Sequence, residues 1–223
     1  MRRLGLAACV LAVLGAAAAS GAAAQPAPQG RMPLAAAERA LARAGAELVV
    51  KERLGRALDD ARFEVVLVER RRAGEKQPGR AHPRAADVFV YDYEAGLTRR
   101  VGVRLPTGEV DAFEELPGVQ LPLSEREVRR AFEIAWADPR VRRRVQDLQR
   151  ARTGAPFADP SELRSTAFVF DVRSNPLGAN EAAARCGEHR CAQLLLMTSD
   201  HFAVEVIPTV DLSEGVVVQV DGF

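Results

Sequence analysis

The sequence lacks an excess of either charge. Its 31 Lys and Arg residues are matched by 30 Asp and Glu residues, and the formal net charge is +1. A nucleic acid or an anionic membrane selects strongly basic surfaces, so neither is an expected partner. Histidine is scarce as well. The three histidines, His82, His189 and His201, include no His-x-His pair from which a copper site could be built.

A long hydrophobic run is also missing. The most apolar stretch, residues 4–19, is shorter than the roughly 20 residues that a membrane-spanning helix needs. Two arginines precede this stretch and three alanines follow it, so residues 1–24 are predicted to be a cleavable secretory signal. Residues 25–32, rich in Pro, Gly and Gln, are predicted to be a disordered leader. The mature protein is then expected in the periplasm or outside the cell, without a membrane span.

Only two cysteines remain once the signal is removed. Cys9 belongs to the predicted signal, which leaves Cys186 and Cys191. An even pair in an exported chain predicts a disulfide that closes a small loop. Two alternatives stay open: a redox-active pair, or a zinc or copper site in which His189 and His201 join the two thiolates.

The first half of the chain has the pattern of one helix followed by four strands. Apolar residues recur at spacings of three and four after Leu34, which predicts a helix with a soft end near Asp59. Alternating apolar residues and turn signals then predict strands over residues 62–70, 87–93, 98–105 and 110–113. The third strand alternates apolar and charged residues, as a half-solvated antiparallel strand does.

The second half repeats this order. Ser124-Glu125-Arg126-Glu127 is a capping box that starts a helix, and Asp138-Pro139 starts a further one. Strands are predicted over residues 167–172, 192–198, 203–210 and 215–220. The repetition predicts an α+β fold of two units, residues 33–120 and 121–223, each a helix packed on a curved four-stranded antiparallel sheet.

The middle of the chain resembles the copper amine oxidases. The segments that carry the resemblance are 63–69, 76, 84–88, 91–92, 96–98, 103, 105–110, 117–124, 127 and 137–141. They are similar to the second and third of the four domains typical of that family, and the similarity is poor after Arg150. The resemblance implies cystatin-like α+β units that pack on the outside of a large catalytic domain.

The catalytic part of that family is missing from the sequence. The oxidases convert a tyrosine within Asn-Tyr-Asp or Asn-Tyr-Glu into a quinone, and neither Tyr91 nor Tyr93 follows an asparagine. The β-sandwich of several hundred residues that carries the chemistry has no counterpart here. The resemblance therefore predicts no enzyme activity and no cofactor.

The first hypothesis for the function is an exported, non-catalytic binding or assembly module. Curved sheets offer a concave face and open edges to another protein or to a second copy of the chain. The expected surface is the sheet face that carries two tyrosines and two arginines, namely Tyr91, Tyr93, Arg100 and Arg104.

Two further hypotheses belong to other classes. One is a metal-handling or amine-oxidase accessory protein that binds copper or zinc at Cys186, His189, Cys191 and His201. The other is a small-molecule enzyme with a pocket between helix and sheet, which needs buried ionisable residues that the sequence does not identify.

Overall fold

The fold is α+β, with helices packed on one face of each of two antiparallel sheets, as predicted. A computed structural model of the chain describes residues 32–72, 84–174 and 179–221. The predicted signal peptide, the predicted leader up to residue 31 and most of the basic loop after the first strand lie outside the described residues. Every described element belongs to one compact unit, Pro33–Phe223.

The first sheet is a meander on which one helix lies. Helix α1 spans Ala36–Leu54. The strands pair in chain order, and their bounds are β1 (Phe63–Arg70), β2 (Ala85–Asp92), β3 (Leu97–Arg104) and β4 (Val110–Leu116). Gly55 ends the helix in a left-handed conformation with φ of 72°. The helix thus ends before the predicted soft end near Asp59.

Apolar residues of α1 and of one face of the first sheet make the first core. We call the sheet face that meets the helix the inner face. Val90 of β2 and Val103 of β3 are buried there, so the alternate residues of these strands occupy the outer face. Gly45 permits close contact between helix and sheet, because a Cβ at this position would lie 2.8 Å from the carbonyl oxygen of Gly108.

Two helices in series open the second half. Helix α2 spans Glu125–Ala137, and helix α3 spans Pro139–Thr153. The predicted capping box is confirmed. The Ser124 hydroxyl accepts a hydrogen bond from the Glu127 amide, and the Glu127 carboxylate accepts one from the Ser124 amide. Asp138 then caps α3 by accepting a hydrogen bond from an amide of its first turn.

The second sheet has five strands among the described residues rather than the predicted four. They are β5 (Leu163–Val169), β6 (Cys191–Thr198), β7 (Ala203–Val204), β8 (Thr209–Asp211) and β9 (Val216–Gln219). Their order is β5-β6-β8-β9, with β7 also beside β6. The strand predicted over 203–210 is interrupted before β8, where Pro208 has no amide proton for a ladder. As a result β7 and β8 pair with opposite ends of β6.

Strand β5 also ends earlier than predicted. The sequence predicts a strand over 167–172, whereas the ladder with β6 stops at Val169. The amide of Val172 donates instead to the carbonyl oxygen of Cys186. The chain after β5 therefore turns toward the disulfide.

Helices α2 and α3 cover the inner face of the second sheet. The buried residues of this second core include Ala131, Ala135, Val141, Val145, Ala192, Leu194, Leu196 and Val210. Because Leu194 and Leu196 point inward, Gln193, Leu195 and Met197 of the same strand lie on the outer face.

One hairpin in each sheet has the same turn geometry, the central β2–β3 hairpin of the first sheet and the last hairpin, β8–β9, of the second. The Asp92 carboxylate accepts hydrogen bonds from amides of the β2–β3 turn, and the Asp211 carboxylate does so in the β8–β9 turn. Each turn ends at a glycine with positive φ, Gly96 at 65° and Gly215 at 71°. These two hairpins are not at equivalent positions of the repeat predicted from the sequence, so that repeat stays a prediction.

The predicted domain boundary at residue 120 falls in the connection between β4 and α2. That the two halves fold independently stays a prediction. Within the described part of the chain, no helix is both long enough and apolar enough to cross a membrane.

Candidate functional site

Arg100 and Arg104, two of the predicted partner-binding residues, lie on the outer face of the first sheet and form ion pairs there. Arg100 donates to Glu114 at 2.6 Å and to Asp87 at 3.2 Å. Arg104 donates to Glu109 at 3.0 Å. Hydrogen bonds from Arg100 hold the pKa of the Glu114 carboxyl below its usual value. The charges of this face therefore neutralise one another.

Arg71 extends these ion pairs across three strands. Its guanidinium donates to Asp87 of β2 at 2.8 Å and to both carboxylate oxygens of Asp111 on β4 at 2.9 and 3.0 Å. It crosses β3 at Gly102, where a Cβ would overlap the guanidinium. Gly102 thus leaves the space that these ion pairs need. We call Arg71, Arg100 and Arg104 with their carboxylate partners the arginine lattice.

Tyr91 and Tyr93 face the second half of the chain. Tyr91 is fully buried and Tyr93 is half-buried. The two rings meet edge to face with their centroids 5.0 Å apart, and the Tyr93 hydroxyl donates to Glu127 of α2 at 2.8 Å. Tyr91 therefore has an internal role. Partner binding by Tyr93, Arg100 and Arg104 stays a prediction.

A buried arginine, Arg190, joins the two halves. Its side chain has no exposed area. It donates to the two carboxylate oxygens of Glu127 at 2.6 and 2.9 Å. Its other N–H groups donate to the side chain of Gln120 at 3.1 Å and to the carbonyl oxygens of Leu121 and Pro122 at 2.8 and 3.1 Å. All five guanidinium donors are thereby engaged.

Both tyrosines belong to the same cluster. The guanidinium carbon of Arg190 lies 5.1 Å from the centroid of the Tyr91 ring, within the range of a cation–π contact. Burial, and then the negative charge of Glu127, raise the pKa of Tyr93 far above its usual value. Burial likewise raises the pKa of Tyr91, and this effect outweighs the opposing contributions of Gln120 and Arg190. We call Tyr91, Tyr93, Glu127 and Arg190 the buried polar cluster.

Sequence reasoning missed Arg190 and this second role of Glu127. Arg190 stands in a polar stretch between His189 and Cys191, a context typical of an exposed loop. The only sequence feature that pointed to a fixed position for Arg190 was the adjacent Cys191, because a disulfide restricts the loop that carries the arginine.

Cys186 and Cys191 form the predicted disulfide. Within the loop that it closes, His189 Nδ1 lies 2.6 Å from a carboxylate oxygen of Asp211, and Nε2 contacts the Arg185 guanidinium. Because Arg185 can only donate, Nε2 accepts and the imidazole donates from Nδ1 to Asp211. His189 thus anchors the loop to the β8–β9 hairpin.

The four predicted metal ligands are not brought together. His201 lies in the turn after β6, at the opposite end of this strand from Cys191, a separation of roughly 20 Å. Over residues 32–72, 84–174 and 179–221, no group of three or more His, Cys, Asp or Glu side chains is placed to hold a metal ion. Metal binding at these residues stays a prediction.

Apolar side chains are exposed at one end of the outer face of the second sheet. Phe168 of β5 is 58% exposed, and Leu195 and Met197 of β6 are each 36% exposed. We call these three residues the open stripe. Phe202 nearby is also exposed, but the Arg152 guanidinium stacks 4.7 Å from its ring centroid. Sequence reasoning missed the open stripe, because apolar residues such as Phe168, Leu195 and Met197 occur equally in strands whose two faces are both buried.

A groove of about 870 Å³ runs along the free edge of β1. At one end of it, Glu64 accepts hydrogen bonds from Ser124 and Arg126 of the second half. The strand pairing is irregular between Val65 and Leu67. Such an irregularity hinders the addition of another strand to a sheet edge, so the groove is a weaker candidate site than the open stripe.

Similarity to known proteins is limited to the fold. No protein-family model matches the sequence, and no curated protein matches it. Among solved structures, a copper-containing benzylamine oxidase from Hansenula polymorpha is similar, with a TM-score of 0.51 and 14% sequence identity. The similarity covers 86% of this chain but 29% of the oxidase chain. It shows an architecture shared with a part of that oxidase.

Proposed function

We propose that this chain is an exported, non-catalytic binding or assembly module, built like the small N-terminal domains of copper amine oxidases. The likeness of its fold to a minor part of a benzylamine oxidase supports a domain of that kind. The disulfide between Cys186 and Cys191 supports an oxidising compartment, the periplasm or the outside of the cell. The partner is another protein.

The open stripe is the observation that carries the binding role. Phe168, Leu195 and Met197 lie on an ordered sheet, where hydration of their apolar surface is unfavourable. Contiguous apolar surface on a folded protein marks sites at which another molecule binds. A partner that covers the stripe removes that surface from water.

The buried polar cluster is proposed to have a structural role. An acid, base or nucleophile needs an atom that can reach a substrate. Arg190 and Glu127 instead bind one another, and Tyr93 binds Glu127. With raised pKa values, Tyr91 and Tyr93 stay protonated at neutral pH. The cluster therefore serves to hold the two halves together.

The size of the chain in a native extract tests the binding role. We expect size-exclusion chromatography with light scattering to place the protein in a species larger than one chain. Leu195→Glu should release the single chain, because it puts a charge into the covered stripe. Leu48→Glu, on an exposed leucine of α1, is the matched control and should leave the complex intact. A wild-type chain found only as a free monomer would remove the proposal.

Peroxide release tests the absence of catalysis separately. The purified chain is incubated under air with benzylamine and copper(II), and we expect no hydrogen peroxide above the level of copper in buffer. Peroxide release that increases with protein concentration would overturn the non-catalytic part and leave the binding part standing.

The metal-handling hypothesis has its own test. Calorimetric titration of the oxidised and the reduced protein with copper(II) and zinc should give no saturable heat if the chain is only a binding module. A saturable heat that disappears in His189→Ala would favour the accessory role instead.

Mass spectrometry of the exported chain should find its N-terminus at Gln25 if the predicted signal is removed.

A further inference from the structure

The open stripe is one continuous surface because β5 and β6 are hydrogen-bonded neighbours. In their register Phe168 is opposite Gln193, and Thr166 is opposite Leu195. Side chains on one face of paired strands touch their diagonal as well as their opposite neighbours. Phe168 is therefore next to Leu195, which is followed on the same face by Met197. The stripe crosses two strands obliquely.

The other end of this outer face is already an interface within the chain. The segment after β5 folds back on it, and Phe170, Cys186 and Cys191 are buried in a small apolar cluster there. Phe168 precedes Phe170 by two residues and points to the same face. The covered and open ends thus form one surface, of which the chain itself covers the part nearest the disulfide.

Charged residues at the rim of the stripe have no ion-pair partner within the described ranges. Arg164 is opposite Met197 and is exposed. Glu205 directly follows β7 and is exposed as well. By contrast, Arg100 on the outer face of the first sheet donates hydrogen bonds to two carboxylates, Asp87 and Glu114. The stripe is therefore flanked by one positive and one negative charge that form no ion pair with another described residue.

The size of the stripe selects the kind of partner. Phe168, which is 58% exposed, and Leu195 and Met197, each 36% exposed, together present roughly 250 Å² of apolar surface. Two whole domains in a stable complex each bury about 800 Å², so a second copy of the chain would not be held by this surface alone. A helix about 10 Å wide covers two strands that lie roughly 4.8 Å apart, as α2 does on the inner face.

We infer that the open stripe docks an amphipathic helix of a partner protein, and that this helix carries an acidic residue beside its apolar face to pair with Arg164. The inference rests on the proposed binding role. Leucine-like side chains at positions i, i+3, i+4 and i+7 of the helix contact Phe168, Leu195 and Met197. Glu205 on the opposite rim meets a basic residue, so the two charges set the direction of the helix.

Two synthetic helical peptides serve as probes. Each has about 18 residues, a fluorescein label and leucines at the positions given above. One carries glutamate beside the leucines and the other carries lysine. Fluorescence anisotropy with the folded, oxidised chain should show about fivefold tighter binding of the glutamate peptide. Arg164→Glu should reverse this preference. A preference that does not change in Arg164→Glu would overturn the inference.

Substitutions in the stripe test the apolar contact. Leu195→Glu should weaken binding of the glutamate peptide by about tenfold or more, and Met197→Glu is a second variant of the same kind. Leu48→Glu is the matched control and should bind as the wild type does. Melting curves followed by circular dichroism establish that each variant is folded. Equal weakening by Leu48→Glu and Leu195→Glu would show nonspecific adhesion and remove the inference.

Sedimentation of the wild-type chain separates the inference from the proposed function. A dimer that Leu195→Glu abolishes would identify a second copy as the occupant, so the helix inference would fail while the assembly role stands. Retention of the native complex by Leu195→Glu would likewise overturn the inference and place binding elsewhere. Absence of any native complex would overturn the proposed function itself.

Discussion

The outer faces of the two sheets differ, although their inner faces are alike. Both inner faces pack small and branched apolar residues beneath a helix. Both outer faces are covered at one end, the first by the second half of the chain and the second by the segment that contains the disulfide. At the uncovered end the first sheet has the arginine lattice, whereas the second has the open stripe. Helix-on-sheet packing does not require this difference, and the proposed binding role would account for it.

The arginine lattice keeps the first outer face in water. The pair of Arg104 with Glu109 is exposed and contributes only about 0–1 kcal/mol, whereas the Asp87 carboxylate is buried beneath Arg71 and Arg100. The lattice fills the face with paired charges and leaves little apolar surface for a partner. The open stripe lacks such charges except at its rim. Under the proposed function, the first face contacts solvent and the second contacts the partner.

The largest effect is expected where the two halves meet. Arg190→Met should lower the free energy of unfolding by about 3–5 kcal/mol, because it leaves the Glu127 carboxylate buried without its partner. Urea denaturation measures the change. Arg104→Met in the arginine lattice is the matched control, with an expected loss below about 1 kcal/mol.

The double variant Arg190→Met/Glu127→Gln sharpens this result. It removes both charges, so it should be more stable than Arg190→Met alone. If Arg190→Met were no more harmful than Arg104→Met, the buried polar cluster would not hold the halves together.

Much of the fold could be predicted from the sequence, because local signals specify it. The capping box at Ser124, the restart of the helix at Asp138 and the turns at Gly96 and Gly108 each depend on residues close in the chain. The sequence did not predict the interruption between β7 and β8, because apolar residues on both sides of Pro208 continue the pattern of a strand.

The sites could be predicted only in part, because they depend on contacts between distant residues. The disulfide followed from the even number of cysteines in a chain predicted to be exported. The burial of Arg190 depends on Gln120 and Glu127, which are 70 and 63 residues away. Likewise, whether Leu195 is covered depends on where the segment after β5 folds, and periodicity does not specify this.

A second prediction compares the aspartates of the β2–β3 and β8–β9 turns, Asp92 and Asp211. Burial alone would raise the pKa of Asp92, but hydrogen bonds from Arg62, the Ala95 amide and Arg99 outweigh it and hold that pKa below 3.8. Asp92→Asn should therefore lower the free energy of unfolding by about 2–3 kcal/mol at neutral pH. Asp211→Asn, in the other hairpin, should lower it by about 1 kcal/mol.

The pH dependence of the Asp92 effect has a definite sign. A lowered pKa in the folded state gives stability that is present above the unfolded value of 3.8 and is lost as the pH falls through the folded value. The difference between wild type and Asp92→Asn should stay constant from pH 7 to about 5 and shrink below about pH 4. A difference that grows on acidification would contradict the assigned ion pairs.

Smaller changes in stability are expected when one buried threonine from each sheet is replaced. The Thr98 hydroxyl donates to the carbonyl oxygen of Val119 at 2.7 Å, whereas the Thr209 hydroxyl has no hydrogen-bond partner among the described atoms. Thr98→Val should destabilise the protein by about 1 kcal/mol, and Thr209→Val should stabilise it by up to about 1 kcal/mol. Thermal melts measure both. Changes of the same sign in both variants would contradict the hydrogen-bond assignment.

Site-specific photo-crosslinking in the cells that make the protein tests the difference between the two outer faces most directly. A benzophenone amino acid is placed at position 195 in one variant and at position 100 in another, and the yield of crosslinked protein is compared. We predict a discrete adduct from position 195 and little or none from position 100. Crosslinking from position 100 with none from position 195 would contradict the assignment of the second sheet as the binding face.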